Sequence, residues 1–113
     1  MVEENAVLDA VFHALSHQYR REMLARLGSG DLTVGQLAEP VSVSLAAVSK
    51  HVQVLEEAGL VSLTVEGRRH VCRLQAGPLE SAARWLGAYE RFWAGRQEAP
   101  VIVRDRPLSE EED

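Results

Sequence analysis

The chain is poor in sulfur, aromatic rings and lysine, and each shortage narrows what it can be. One cysteine in 113 residues, Cys72, leaves no partner for an internal disulfide and suits a reducing compartment. No run of about 18 apolar residues is present, so nothing reads as a transmembrane helix. The opening MVEENAVLDA is acidic where a signal peptide would be basic, so export is not expected and the reading is cytoplasmic. Catalytic patterns are missing as well. There is no GxSxG elbow, no phosphate-cradling glycine loop, and no cysteine beside a plausible His and Asn. The chain does not read as an enzyme, and a length of 113 residues allows one domain with or without a tail.

Positive charge is scarce in the net count, at -5, and this argues at first sight against nucleic acid. Its distribution changes the argument. From Glu98 to Asp113 six acids face two Arg, a net -4, which leaves -1 on residues 1–97. The sequence therefore divides into a domain at 1–97 and an acidic tail at 98–113 with the composition of a disordered segment, in which VIV at 101–103 could pair as a short edge strand. Within the domain the single lysine, Lys50, and the pair Arg68-Arg69 fall in one stretch, 44–74, that also carries the clearest pattern. What counts for a groove binder is the face that the cations occupy.

Hydrophobic spacing lays out the elements. Leu8, Val11, Phe12 and Leu15 make the stripe of a first helix over 5–15. Ser16 can cap a second helix that starts near His17, turns Met23, Leu24 and Leu27 inward, and stops at Gly28-Ser29-Gly30. Thr33 can cap a short third helix, VGQLAEP, ended by Pro40, and Ser44 can cap a fourth. On the fourth helix Leu45, Val48, Val52 and Leu55 project from one side. The other side holds Ala46, Lys50 and Gln53, flanked by Ala47 and Ser49. Gly59 ends that helix. Alternation over 61–65 and 70–74 then predicts two strands joined at Gly67-Arg68-Arg69, with Val61, Leu63 and Val65 on one face and Cys72 with Leu74 on another. Pro78 suits the first turn of a last helix over 79–97, whose Leu79, Ala83, Leu86, Tyr89 and Trp93 share a stripe widened by Trp85 and Phe92.

Two short helices followed by a charged hairpin form the pattern of a winged helix-turn-helix, mainly α with a two-stranded wing and five helices. Small residues at Ala46 and Ala47 let a helix approach base edges, and Ser44 and Ser49 are short donors suited to bases or phosphates. Lys50, His51 and Gln53 complete the candidate DNA-binding face, with Arg68 and Arg69 at the hairpin tip for the flanking backbone. Leu8, Val11 and Phe12 of the first helix and Leu79, Ala83, Leu86, Tyr89 and Trp93 of the last are more apolar than so small a core needs. They are the candidate homodimer interface.

These segments, taken in order, resemble the ArsR family of winged helix-turn-helix repressors. HALSHQYRREMLARL at 13–27 is similar to the family's second-helix entry, VGQLAEP to its third helix, and AVSKHVQVLEEAGLV to its recognition helix. EGRRHVCRL is similar to its wing, and PLESAARWLGAYERFW to its dimerising last helix. The resemblance spans about residues 5–95 and implies a homodimeric cytoplasmic transcription factor that binds a palindromic double-stranded operator, usually as a repressor. The chain departs from the metal-sensing members. Its third helix, Val34-Gly35-Gln36-Leu37-Ala38, has no sulfur ligand, and Leu79 to Gln97 contains neither His nor Cys. No metal or other cofactor is expected.

Several residues carry two readings. His13 and His17 sit four apart as metal ligands can, yet Ser16 breaks the helix between them and no third ligand is near in sequence. His51 can touch a phosphate or pack near the hairpin, and His70 in the wing offers the same choice. Cys72 reads as a small buried hydrophobe or, with Arg69 and His70 near, as a redox-active thiol. Tyr89, Phe92 and Trp93 could wall an inducer pocket at the dimer seam, although core packing accounts for the rings as well; the sequence names no inducer. The alternative reading of the whole chain is a winged helix that binds a protein and not DNA.

Overall fold

Polar caps and glycine stops divide the chain into short helices. The computed structural model describes residues 2–93. In order these form α1 (Val2–Ala14), α2 (Gln18–Leu27), β1 (Leu32–Thr33), α3 (Val34–Ala38), α4 (Leu45–Glu57), β2 (Val61–Glu66), β3 (Arg69–Leu74) and α5 (Gly77–Gly87), then a 3₁₀ turn at Glu90–Phe92. Thr33 heads α3 with a complete capping box: its hydroxyl accepts from Gln36 N at 3.0 Å while the Gln36 side chain accepts from Thr33 N at 2.8 Å. Ser44 heads α4, its hydroxyl accepting from Ala47 N at 3.1 Å. Such a cap stabilises a helix by about 1 kcal/mol. Past the end of α4, Gly59 takes φ +78° and lets Leu60 N return to Leu55 O at 3.0 Å.

One cap is not where the sequence put it. His17, not Ser16, is the N-cap of α2, with Nδ1 accepting from Tyr19 N at 3.0 Å. The Ser16 hydroxyl instead donates backward to His13 O at 2.6 Å and closes the end of α1. A serine can serve either neighbour, and here the orphan carbonyl outcompetes the orphan amide.

The wing is larger than a hairpin. β2 and β3 pair antiparallel with Leu63 opposite Cys72 and Val61 opposite Leu74, and β1 adds a third strand with Leu32 opposite Cys72. Cross-strand partners point to the same face, so Cys72 and Leu74 share the core side with Leu63 and Val61 and do not occupy another face. Val65 lies near the tip and is exposed. The two-residue β1 is too short for alternation to reveal it. Its loop is tied to the sheet from outside by Arg73, whose guanidinium donates to Asp31 at 2.7 Å.

Inside, Val11 and Ala14 of α1, Met23, Leu24 and Leu27 of α2, Leu37 of α3, and Val48, Val52 and Leu55 of α4 form one core with Leu60, Val61, Cys72 and Ala82. Val11 is fully buried within the single chain, so it cannot contribute to a surface between two copies. Leu45 was expected among the core residues of α4 and is instead 57% exposed. It occupies the first turn and lines the open groove that α4 shares with α3 and the wing.

The last helix stops earlier than its apolar stripe suggests. α5 ends at Gly87, and Ala88 N turns to Trp85 O in a tightened turn. Glycine in a helix costs roughly 1 kcal/mol relative to alanine, enough to end a helix exposed along one side. The expected continuation beyond Trp93, the acidic tail and the strand at 101–103 lie outside the described residues.

Candidate nucleic-acid interface

α3 and α4 are joined by a short bridge, and the wing folds back beside α4. Between them runs an open groove of about 650 Å³, lined by Thr33 to Gln36 at the start of α3, by Leu45, Ser49, Val52, Gln53 and Glu56 of α4, and by Leu63, Arg68, Arg69 and His70 of the wing. The sequence placed Ser49 and Gln53 on one helix and Arg68 and Arg69 on a distant turn. The fold brings all four to one groove. Gly67 makes this possible at φ +66°, where the chain reverses so that Arg68 and Arg69 stand at the tip.

Ala46, Ser49, Lys50 and Gln53 are exposed on α4, and Ala47 is half-buried. Ala46 and Lys50 extend this face beyond the groove lining. Among the described residues, Lys50, Arg68 and Arg69 form no ion pair, so all three cations are unspent. Ser44 is exposed, but its hydroxyl is engaged as the α4 cap. Anions are favoured at such a helix start by the free amides and the dipole. The groove is not uniformly positive, since Glu56 lies along it.

His51 is turned the other way, about 160° around the helix axis from Gln53. Its ring packs against His17 at a tilt of 48° with centroids 4.3 Å apart, and its Nδ1 lies 3.1 Å from Arg20 Nη1. It packs on the start of α2, not on the hairpin. Burial, then the neighbouring His17 and Arg20, holds its pKa below the usual histidine value. Cys72 is fully buried, and burial followed by the Glu56 charge pushes its thiol up, away from the reactive thiolate. Among the described residues no cluster of three or more His, Cys, Asp or Glu could hold a metal ion. No helix described is long and apolar enough to cross a membrane.

A second surface lies on α1 and α5. Phe12 meets Trp85 edge-on at 5.8 Å, Trp85 meets Tyr89 at 5.2 Å, and Tyr89 meets Phe92 at 6.2 Å. These rings remain 36% to 60% exposed, together with Val7, Leu86 and Trp93. Of the other residues expected there, Ala83 is exposed, and Leu8 and Leu79 are half-buried against the core.

Sequence reasoning missed Arg20, the groove lining from α3, and the Asp31–Arg73 clamp. A buried arginine leaves no periodic signal, and the clamp joins residues 42 apart.

A short helix, a capped second helix with small residues forward, and a cationic wing at its flank together make a winged helix-turn-helix DNA-binding protein. A family model described as a helix-turn-helix domain matches residues 15–64. The HTH-type transcriptional regulator Rv2034 of Mycobacterium tuberculosis is 39% identical over 85 residues, which cover 75% of this chain and 77% of that one. The transcriptional repressor SdpR of Bacillus subtilis is 30% identical over 79 residues, covering 70% and 88%. Among solved structures, the ArsR family transcriptional regulator RHA00566 is 32% identical and superposes with a TM-score of 0.73, covering 81% of this chain and 95% of that one. The chain belongs to the ArsR family and is a DNA-binding transcriptional regulator, not an enzyme.

Proposed function

We propose that this regulator works as a cytoplasmic homodimer that represses transcription from a two-fold symmetric operator, with no metal in its signalling. The observation that carries the proposal is the pair of unlike surfaces on one small fold. The α1–α5 face offers exposed rings and Leu86, a composition suited to burial against an identical face. The groove beside α4 offers small residues, amides and cations that form no ion pair among the described residues, a composition suited to DNA.

In this reading Leu8, Phe12, Leu79, Ala83, Leu86, Tyr89 and Trp93, with Trp85 and Phe92, form the dimer seam. Ala46, Ala47, Ser49, Lys50 and Gln53 enter the major groove, the start of α4 at Ser44 lies on a phosphate, and Arg68 with Arg69 reaches the flanking backbone. Two copies of α4 then stand roughly 34 Å apart, one helical turn of the duplex. Repression is favoured by the relative SdpR, a transcriptional repressor. Steric exclusion of polymerase needs nothing beyond occupancy.

Sedimentation equilibrium combined with mobility shifts on a duplex selected from a random pool tests the proposal. The expected result is a dimer that binds one duplex with affinity falling steeply as salt rises. A monomer that binds one duplex at one half-site contradicts it.

A further inference from the structure

Arg20 is buried and cationic, and among the described residues no carboxylate lies within ion-pair distance of it. Its charge rests on two carbonyls and, at 3.5 Å, on the Ser16 hydroxyl. Nε donates to Ala14 O at 2.7 Å and Nη2 to His13 O at 3.1 Å, both at the negative end of α1. The remaining direction, Nη1, meets His51 Nδ1 on α4 at 3.1 Å. Three helices therefore meet on one guanidinium. Since that group only donates, the contact requires His51 to be neutral with its proton on Nε2.

The groups that face His51 offer no replacement for that arrangement. From α2 come Arg20 and the Tyr19 ring, whose centroid lies 6.0 Å from that of His51. From the N-cap of α2 comes His17, whose own Nδ1 is committed to Tyr19 N. The end of α1 presents carbonyls that Arg20 already occupies, and Lys50 is the charged neighbour on α4. A proton on His51 Nδ1 turns an acceptor into a donor aimed at a donor and adds a cation where, among the described residues, no carboxylate waits. The depressed pKa of His51, set by burial and by His17 and Arg20, agrees with this geometry.

We propose that Arg20, His51 and His17 form a proton-sensitive joint that seats the recognition helix, so that acidification loosens α4 and erodes discrimination between DNA sequences. Arg20 is a positioning residue, acting on DNA only through α4. Discrimination is the informative readout because added positive charge strengthens binding to any duplex, whereas base reading depends on how α4 is seated. The inference rests on α4 being the base-reading helix. Gln53→Ala tests that assignment separately, by its loss of selected-duplex affinity at pH 7.5.

The experiment measures the affinity of the full chain for a duplex selected at pH 7.5 and for random-sequence duplex, from pH 8 to 5.5 at fixed ionic strength. For the wild type the ratio of the two affinities falls about fivefold or more toward acid, in the usual range of a coupling between sites. His51→Asn keeps an acceptor for Arg20 but does not titrate, and its ratio stays level. His17→Gln removes the neighbouring imidazole that helps to lower the His51 pKa and moves the fall to higher pH. Ring NMR of the wild type shows His51 titrating below the ordinary histidine range and over the same pH interval in which the ratio falls, a readout that does not need the Asn variant to fold. A level wild-type ratio, parallel profiles in all three proteins, or a His51 ring titrating at or above the ordinary range overturns the proposal.

Discussion

The groove beside α4 and the face across α1 and α5 are both open, yet they are open in different ways. The groove is floored by Leu45, Val52 and Leu63 and edged by polar and cationic groups. The other face is built of aromatic rings touching one another, and its arginines are engaged within the chain: Arg91 lies 4.6 Å over Phe92, and Arg84 lies 3.5 Å from Glu80. A polyanion finds unspent cations in the first and few in the second. A second copy finds apolar area in the second and less in the first. The difference teaches that exposure alone identifies no partner, and that the chemistry of the exposed groups does.

Trp85→Ala should break the comparison hardest, because it removes the ring at the centre of the aromatic face. Truncation of such an anchor costs about 2–4 kcal/mol of association, to be measured by sedimentation, with operator affinity falling in step. If dimerisation survives unchanged, the face serves something else. Removing Arg68 and Arg69 together should leave the dimer intact while flattening the dependence of log affinity on log salt by about two units. A salt slope equal to the wild type would place the wing off the backbone. Lys50→Ala separates two contacts: a phosphate contact flattens the slope by about one unit on every duplex, and a guanine contact costs about 1–3 kcal/mol on the selected duplex alone. Ser44→Ala should lower stability by about 1 kcal/mol through loss of the cap, visible in urea melts.

Acid should act on the packed side of α4. The folded His51 binds its proton less readily than in the unfolded chain, so the unfolded state takes up protons first as pH falls. Its contribution is complete at neutral pH, begins to fade near pH 6.5, and is lost below its depressed folded value. Melts of the wild type and His51→Asn should therefore converge toward neutral pH and diverge in acid, with the wild type losing more. Identical pH profiles would count against it.

Much of the fold was legible because its signals are local. Thr33 and Ser44 are caps in the sequence and in the structure, Gly59 ends α4 at positive φ, and Val48, Val52 and Leu55 are buried at helical spacing. What escaped depends on distance or on competition. β1 exists only because β3 is beside it, and Val11 belongs to the core because α1 lies deep against its neighbours. The position of His51 next to Lys50 makes it a candidate contact for DNA in the sequence. Its ring faces Arg20, 31 residues away, which no spacing rule reveals. Leu45 shows the opposite error: its wheel position suits the core, but in the fold it is exposed and lines the open groove.

The central claim is that one dimer sets two α4 helices on one side of the duplex, a helical turn apart. Hydroxyl-radical footprinting on a selected duplex tests it most directly. Protection in two patches centred about 10–11 base pairs apart on the same side, vanishing together in Trp85→Ala at concentrations that fill the wild-type site, is the predicted result. A single patch, or two patches that persist when the aromatic face is broken, would contradict the account.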